Sequence, residues 1–153
     1  MKNMWLLGLI ILLQPLSSFA QHNDFGLGVI IGEPTGLSWK IWAGGKNALA
    51  GAAAWSLGRT DAFHLHADYL FHNFRLFPVS KGRLPFYYGL GVRFLFHENG
   101  EESTKVGVRF PLGIEYIFAT SSLGIFIEIV PILDLSPGTD FDLNAAIGFR
   151  FYF

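Results

Sequence analysis

Beyond its first twenty positions the chain alternates apolar residues with small or polar ones, two by two, almost without interruption. A period of two marks an extended strand, because successive side chains leave opposite faces. Phe25 to Gly32 sets Phe25, Leu27, Val29 and Ile31 against Gly26, Gly28, Ile30 and Gly32. Gly36 to Ala43 sets Leu37, Trp39 and Ile41 against Ser38, Lys40 and Trp42. Asn47 to Leu57, Ala62 to His72, Leu84 to His97, Lys105 to Phe118, Leu123 to Leu133 and Phe141 to Phe153 repeat the pattern. Short turn-forming stretches separate these segments, which predicts eight antiparallel strands. Three positions disturb the rhythm. The phase slips at Asn73, which predicts a bulge with the strand running on through Phe74 and Leu76. Pro111 and Pro131 each remove a ladder hydrogen bond, which predicts a bulge or a strand end at both.

The minority face decides which side looks inward. A soluble exterior would be crowded with Lys, Glu, Thr and Ser, whereas this face is mostly Gly and Ala with a few large charged groups. Small residues beside ions suit a narrow interior, since an eight-stranded barrel has room only for side chains. The other face is Leu, Ile, Val, Phe, Tyr and Trp, a patch too large for water to tolerate on a soluble monomer. The expected fold is all-β: an eight-stranded antiparallel up-and-down transmembrane β-barrel with a filled polar lumen. The lumen would hold Lys40, Arg93, Arg109 and Arg150 with Asp68, Glu115, Glu128 and Asp142, four of each sign. An isolated buried ion is costly, so these charges are expected to pair into a plug that blocks conduction.

The first twenty residues stand apart. Lys2, the apolar run Met4 to Leu13 and the small-x-small site Ser18-Phe19-Ala20 predict a secretory signal peptide over 1–20, leaving a barrel domain over 21–153. With no cysteine there is neither a lipid-anchoring thiol nor a disulfide. Eleven Lys and Arg, one of them Lys2, face twelve Asp and Glu, a balance that gives no hint of nucleic acid. Leu123 to Leu133, interrupted by Glu128, is the longest later apolar run, and a spanning helix needs roughly 20 apolar residues. The remaining way across a bilayer is a closed sheet.

The final strand, FDLNAAIGFRFYF, ends on Phe153 with Phe151, Phe149 and Ile147 at alternate positions before it. With that terminus the chain resembles the small eight-stranded outer-membrane barrels of the OmpA/OmpX type. The resemblance is architectural and covers the whole segment after the leader. It implies residence in the outer membrane of a diderm bacterium, contact with the lipid bilayer and lipopolysaccharide, and recognition of Ile147, Phe149, Phe151 and Phe153 by the barrel-assembly machinery. More narrowly, GEPTGLSWK, HLHADYLFH, LPFYYGLGVR and DFDLNAAIGFRFYF resemble a family of short barrels of unknown function. An even strand number puts both termini in the periplasm. The outward loops would then be Glu33–Thr35, Gly58–Asp61, Glu98–Thr104 and Leu135–Asp140, all short. Glu98, Glu101 and Glu102 make one of them a candidate contact for an unknown extracellular ligand, against the plainer reading of a solvated turn.

HLHADYLFH holds the strongest candidate chemistry. His64, His66 and Asp68 lie at i, i+2 and i+4, on one face of a strand, where a base and its orienting acid could adjoin. The alternative function is therefore a lipid A-modifying enzyme. Known deacylases of this size show a His-x-Ser pattern, and His64-Leu65-His66 lacks the serine. Parallel projection also disfavours convergence on one ion, so neither a metal nor another cofactor is expected. The preferred reading is a non-catalytic barrel, structural in the envelope or presenting its loops. Trp39, Trp55, Tyr69 and Tyr88, outward and toward strand ends, would form the interfacial girdles.

Overall fold

Alternation becomes pairing in the computed structural model, which describes residues 24–56, 62–97 and 104–153. The predicted leader, the 57–61 connection, and Glu98, Glu101 and Glu102 lie outside the described residues. The strands are β1 (Phe25–Gly32), β2 (Thr35–Trp42), β3 (Asn47–Ser56), β4 (Ala62–Asn73), β5 (Phe86–His97), β6 (Lys105–Arg109), β7 (Leu112–Ile117), β8 (Leu123–Ser136) and β9 (Asp140–Tyr152). All pairings are antiparallel. β1 pairs with β2 and β9, β4 with β3 and β5, and β6 and β7 both lie between β5 and β8. Each strand thus has a partner on both sides, and β6 and β7 share one place in a ring of eight. A sheet without an edge needs no other cover for its backbone groups.

Prolines explain why one predicted strand became two. Arg109 pairs with Gly91 and Ile132, and Leu112 with Tyr88 and Ile129, so register is unchanged across the break. Only the proline donors are missing there: Gly89 N still donates to Pro111 O, and Phe110 N to Pro131 O, each at 3.0 Å. Pro131 behaves otherwise: β8 runs straight through it to Ser136, and it pairs with Leu143 on the β9 side. Its carbonyl accepts from Phe110 N at 3.0 Å, so the donor it lacks points toward the interruption, away from β9. Neither a bulge nor a strand end forms there. The bulge sits later, where Val106 pairs with Ser136 but Gly107 with Asp134, leaving Leu135 as the extra residue. Asn73 is a further correction. β4 keeps one register against β5 and stops at Asn73, whose Oδ1 accepts from Arg75 N at 2.9 Å. That local turn replaces the expected continuation through Phe74 and Leu76.

The two faces differ as the alternation requires. Ala48, Ala50, Ala52 and Ala54 are buried inside, while Leu37, Leu90, Leu143 and Phe151 outside are more than half exposed. Small inward residues also admit the ions. A Cβ at Gly91 would strike Asp68 Oδ1, and one at Gly124 would lie 2.6 Å from Glu115 Oε1. Asp24, Phe153 and the connections 43–46, 74–85 and 118–122 share one end of the barrel; 33–34 and 137–139 close the other.

Candidate functional site

The lumen charges fall into three groups along the barrel. Nearest the end that carries the termini, Lys40 on β2 reaches Glu115 Oε2 on β7 at 2.6 Å. Lys40 Nζ also lies 2.8 Å from His72 Nε2 and 4.2 Å from the Trp42 ring centre. His72 Nδ1 is 3.0 Å from the Lys46 carbonyl, which can only accept. The ring proton therefore sits on Nδ1, and Nε2 receives a hydrogen bond from the ammonium. Tyr152 donates to Glu115 Oε1. Arg150 joins the group with Nη1 at 3.7 Å from the same oxygen, Nε donating to Ser38 Oγ at 3.0 Å, and its guanidinium over Phe126 at 3.9 Å.

The middle group is built on a fork. Arg109 donates from Nε and Nη2 to the two oxygens of Asp68, at 2.9 and 3.2 Å. Glu128 Oε1 lies 3.8 Å from Arg109 Nη2, and Tyr87 donates to Glu128 Oε2 at 2.8 Å. Toward the far end, Arg93 makes a second fork on Asp134, with Nε to Oδ1 at 3.0 Å, and also reaches Asp142 at 3.2 Å. Forked guanidinium–carboxylate pairs fix geometry as well as charge. Asp142 is half-exposed; Lys40, Asp68, Arg93, Arg109, Glu115, Glu128, Asp134 and Arg150 are buried. Two buried nitrogens, Arg109 Nη1 and Arg150 Nη1, have no hydrogen-bond partner among the described residues.

All eight charged residues singled out in the sequence thus lie within this network. Asp134, Ser38, His72, Tyr87 and Tyr152 were not singled out, yet each holds a charge in place. Asp134 is at the same phase as Glu128, six residues on, and ending the strand at Leu133 hid it. The tyrosines and His72 carried a signal too: polar groups at inward positions of apolar segments must find partners.

His64 and His66 lie among these groups. His66 Nδ1 is 3.0 Å from His64 Nε2, and His66 Nε2 is 3.7 Å from Asp68 Oδ2. Both rings are buried, and Asp68 is committed to Arg109. Ser38, buried on β2, is held by Arg150. Such an arrangement braces the lumen, with His66 between His64 and the Asp68–Arg109 fork. Among the described residues no group of His, Cys, Asp or Glu is placed to hold a metal ion.

On the outer face, Ile147, Phe149, Phe151 and Phe153 all point outward, each about half exposed. Phe153 N donates to Phe25 O at 2.7 Å, and the two rings stack at 6.3 Å. Trp55 and Tyr88 lie near strand ends, and Tyr69 packs on Phe71 at 5.2 Å. Trp39 differs from expectation. It lies in mid-strand, paired with Leu27 and Gly51, because the bare glycine lets the indole lean across the sheet and become partly buried.

No family model matches the sequence and no curated protein matches it, so the narrower likeness to short barrels of unknown function gains nothing from those comparisons. Among solved structures, the chain is similar to the N-terminal β-barrel domain of Pseudomonas aeruginosa OprF. The TM-score is 0.59 at 15% identity, over 84% of this chain and 95% of that one. The chain has the fold of that β-barrel domain.

Proposed function

We propose that this protein is a non-catalytic integral barrel of the outer membrane, exported by its leader and inserted by the barrel-assembly machinery. Its lumen is plugged by the ion-pair network, and it serves the envelope structurally or by presenting short loops. One observation carries the reading: the polarity of the fold is inside out. Arg109, Lys40 and Glu115 have no solvent exposure, while Ile127, Leu143 and Phe151 on the outer face are more than half exposed. Water does not favour such a surface, and hydrocarbon requires it. The OprF barrel domain supports the outer membrane as the location by likeness of fold. Lipid and lipopolysaccharide then cover the outer face, and any extracellular ligand would meet the short loops.

Heat-modifiability on a denaturing gel tests this reading. Extracted from outer membranes, the unboiled protein is expected to migrate differently from the boiled one. A chain that fractionates as soluble and shows no shift overturns the proposal. Lipid A mass spectra, with and without His64→Ala and His66→Ala, test the absence of catalysis. A mass change that depends on either histidine would overturn that part alone.

A further inference from the structure

Outer-membrane barrels ordinarily close the periplasmic end with tight turns and keep their longer loops outside. Here the longest described connection, 74–85 between β4 and β5, is at the end that carries Asp24 and Phe153. It is ordered. Arg83 and Ile117 exchange backbone hydrogen bonds at 2.9 and 2.8 Å, and Tyr116 donates to the Lys81 carbonyl at 2.9 Å. Gly82, at φ +71, makes the close approach to Ile117 that this requires.

Its chemistry has two parts. Arg75, Lys81 and Arg83 are exposed, and no acid lies within 74–85. Leu76, Phe77 and Val79 between them are 39–52% exposed. At the adjoining strand ends, Phe71 and Tyr88 of the outer face stack at 5.6 Å. Beside the connection is a polar recess of about 320 Å³, lined by Arg83, the Thr120-Ser121-Ser122 turn, Trp42 and Tyr152. A guanidinium with several hydroxyls suits a phosphate ester, and apolar side chains among bases suit the boundary between headgroups and acyl chains.

We propose that the 74–85 connection and the recess beside it dock the phosphate headgroups of anionic phospholipids in the leaflet on the termini side. This rests on the membrane-barrel reading. Arg75, Lys81 and Arg83 meet the phosphates, Leu76, Phe77 and Val79 enter the acyl boundary, and Arg83 holds one headgroup over the recess. Each base near an anionic surface strengthens attachment, and added salt weakens it.

The test is native mass spectrometry of the full chain, folded in neutral detergent with phosphatidylglycerol, phosphatidylcholine or soluble glycerophosphoglycerol. Wild type is expected to retain phosphatidylglycerol over phosphatidylcholine, losing roughly fivefold in that preference for each base removed by Arg75→Gln, Lys81→Gln or Arg83→Gln. Equal retention of the two lipids, or a preference that survives the triple variant, overturns the proposal. So does equal competition by glycerophosphoglycerol, which would make the recess a site for free phosphate esters. Heat-modifiability is read on the same samples. A barrel that shifts on boiling but shows no lipid preference sinks the anchor alone, whereas a chain that never shifts sinks the barrel reading with it.

Discussion

Lys40 and Glu115 meet at 2.6 Å with neither side chain exposed, and the strands that carry them stand opposite each other in the ring. Four steps separate β2 from the place shared by β6 and β7, counted either way round. The pair is a strut across the width of the barrel. Removing one partner leaves the other buried and uncompensated, which costs about 3–5 kcal/mol. Lys40→Met and Glu115→Gln are each expected to lower the unfolding free energy by that amount, measured by urea titration of tryptophan fluorescence in micelles. The double replacement Lys40→Met/Glu115→Gln should cost less than the two singles summed, because the Lys40–Glu115 attraction is lost only once, although Arg150 still loses its carboxylate. Strict additivity would show that the residues do not act as a pair.

The same strut bears on conduction. Lys40, Glu115 and Arg150 cross the lumen at one level, and the Arg150 guanidinium covers Phe126 at 3.9 Å. Wild type in a planar lipid bilayer is expected to pass no steady ionic current. Lys40→Ala/Glu115→Ala/Arg150→Ala, checked for heat-modifiability so that only folded barrels are compared, should open a measurable conductance. A steady open state in the wild type would refute the plug.

Glycine positions separate packing from mere flexibility. A Cβ at Gly91 would meet Asp68 Oδ1 and come within 2.8 Å of Asp68 Cα, and backbone cannot swing aside as a side-chain tip can. Gly91→Ala is expected to cost about 1–3 kcal/mol or more, through overpacking and displacement of the Asp68–Arg109 fork. Gly45→Ala, with nothing within 4 Å of its added Cβ, should stay within about 0.5 kcal/mol of wild type. Equal losses at both sites, read from unfolding midpoints, would remove the fork from the explanation.

Parity along each strand was enough to place Lys40, Arg93, Arg109 and Arg150 inside, because a strand offers a side chain only two directions. Partners were not legible in the same way. Asp68 and Arg109 sit on β4 and β6, with β5 between them, and Lys40 and Glu115 face each other across the ring. Which inward residues share a level depends on stagger between strands, and alternation carries no information about stagger. Asp134 was lost because the apolar alternation runs out at Leu133, one residue short of it, whereas β8 continues to Ser136. Trp39 shows the other limit: parity gives its face, but only the glycine across the ladder reveals that it leans.

The last residue separates assembly from stability. Phe153 is attached by its backbone, through its N–H to Phe25 O at 2.7 Å, and that bond survives any change of side chain. The ring adds outer-face contacts, stacked on Phe25 at 6.3 Å and tilted on Phe151 at 5.9 Å. An aromatic pair of this kind contributes about 0.5–1.5 kcal/mol beyond its buried area. Phe153→Ser should therefore shift urea unfolding of the refolded barrel only slightly. If the assembly machinery reads the terminal aromatic, as the likeness to outer-membrane barrels implies, the same replacement should deplete the protein from outer membranes far more than it weakens the fold. Membrane abundance and in vitro stability, measured on the one variant, settle which role the residue has. Matched losses would leave Phe153 as an ordinary outer-face contact, and a large abundance loss with an intact fold would mark it as the signal.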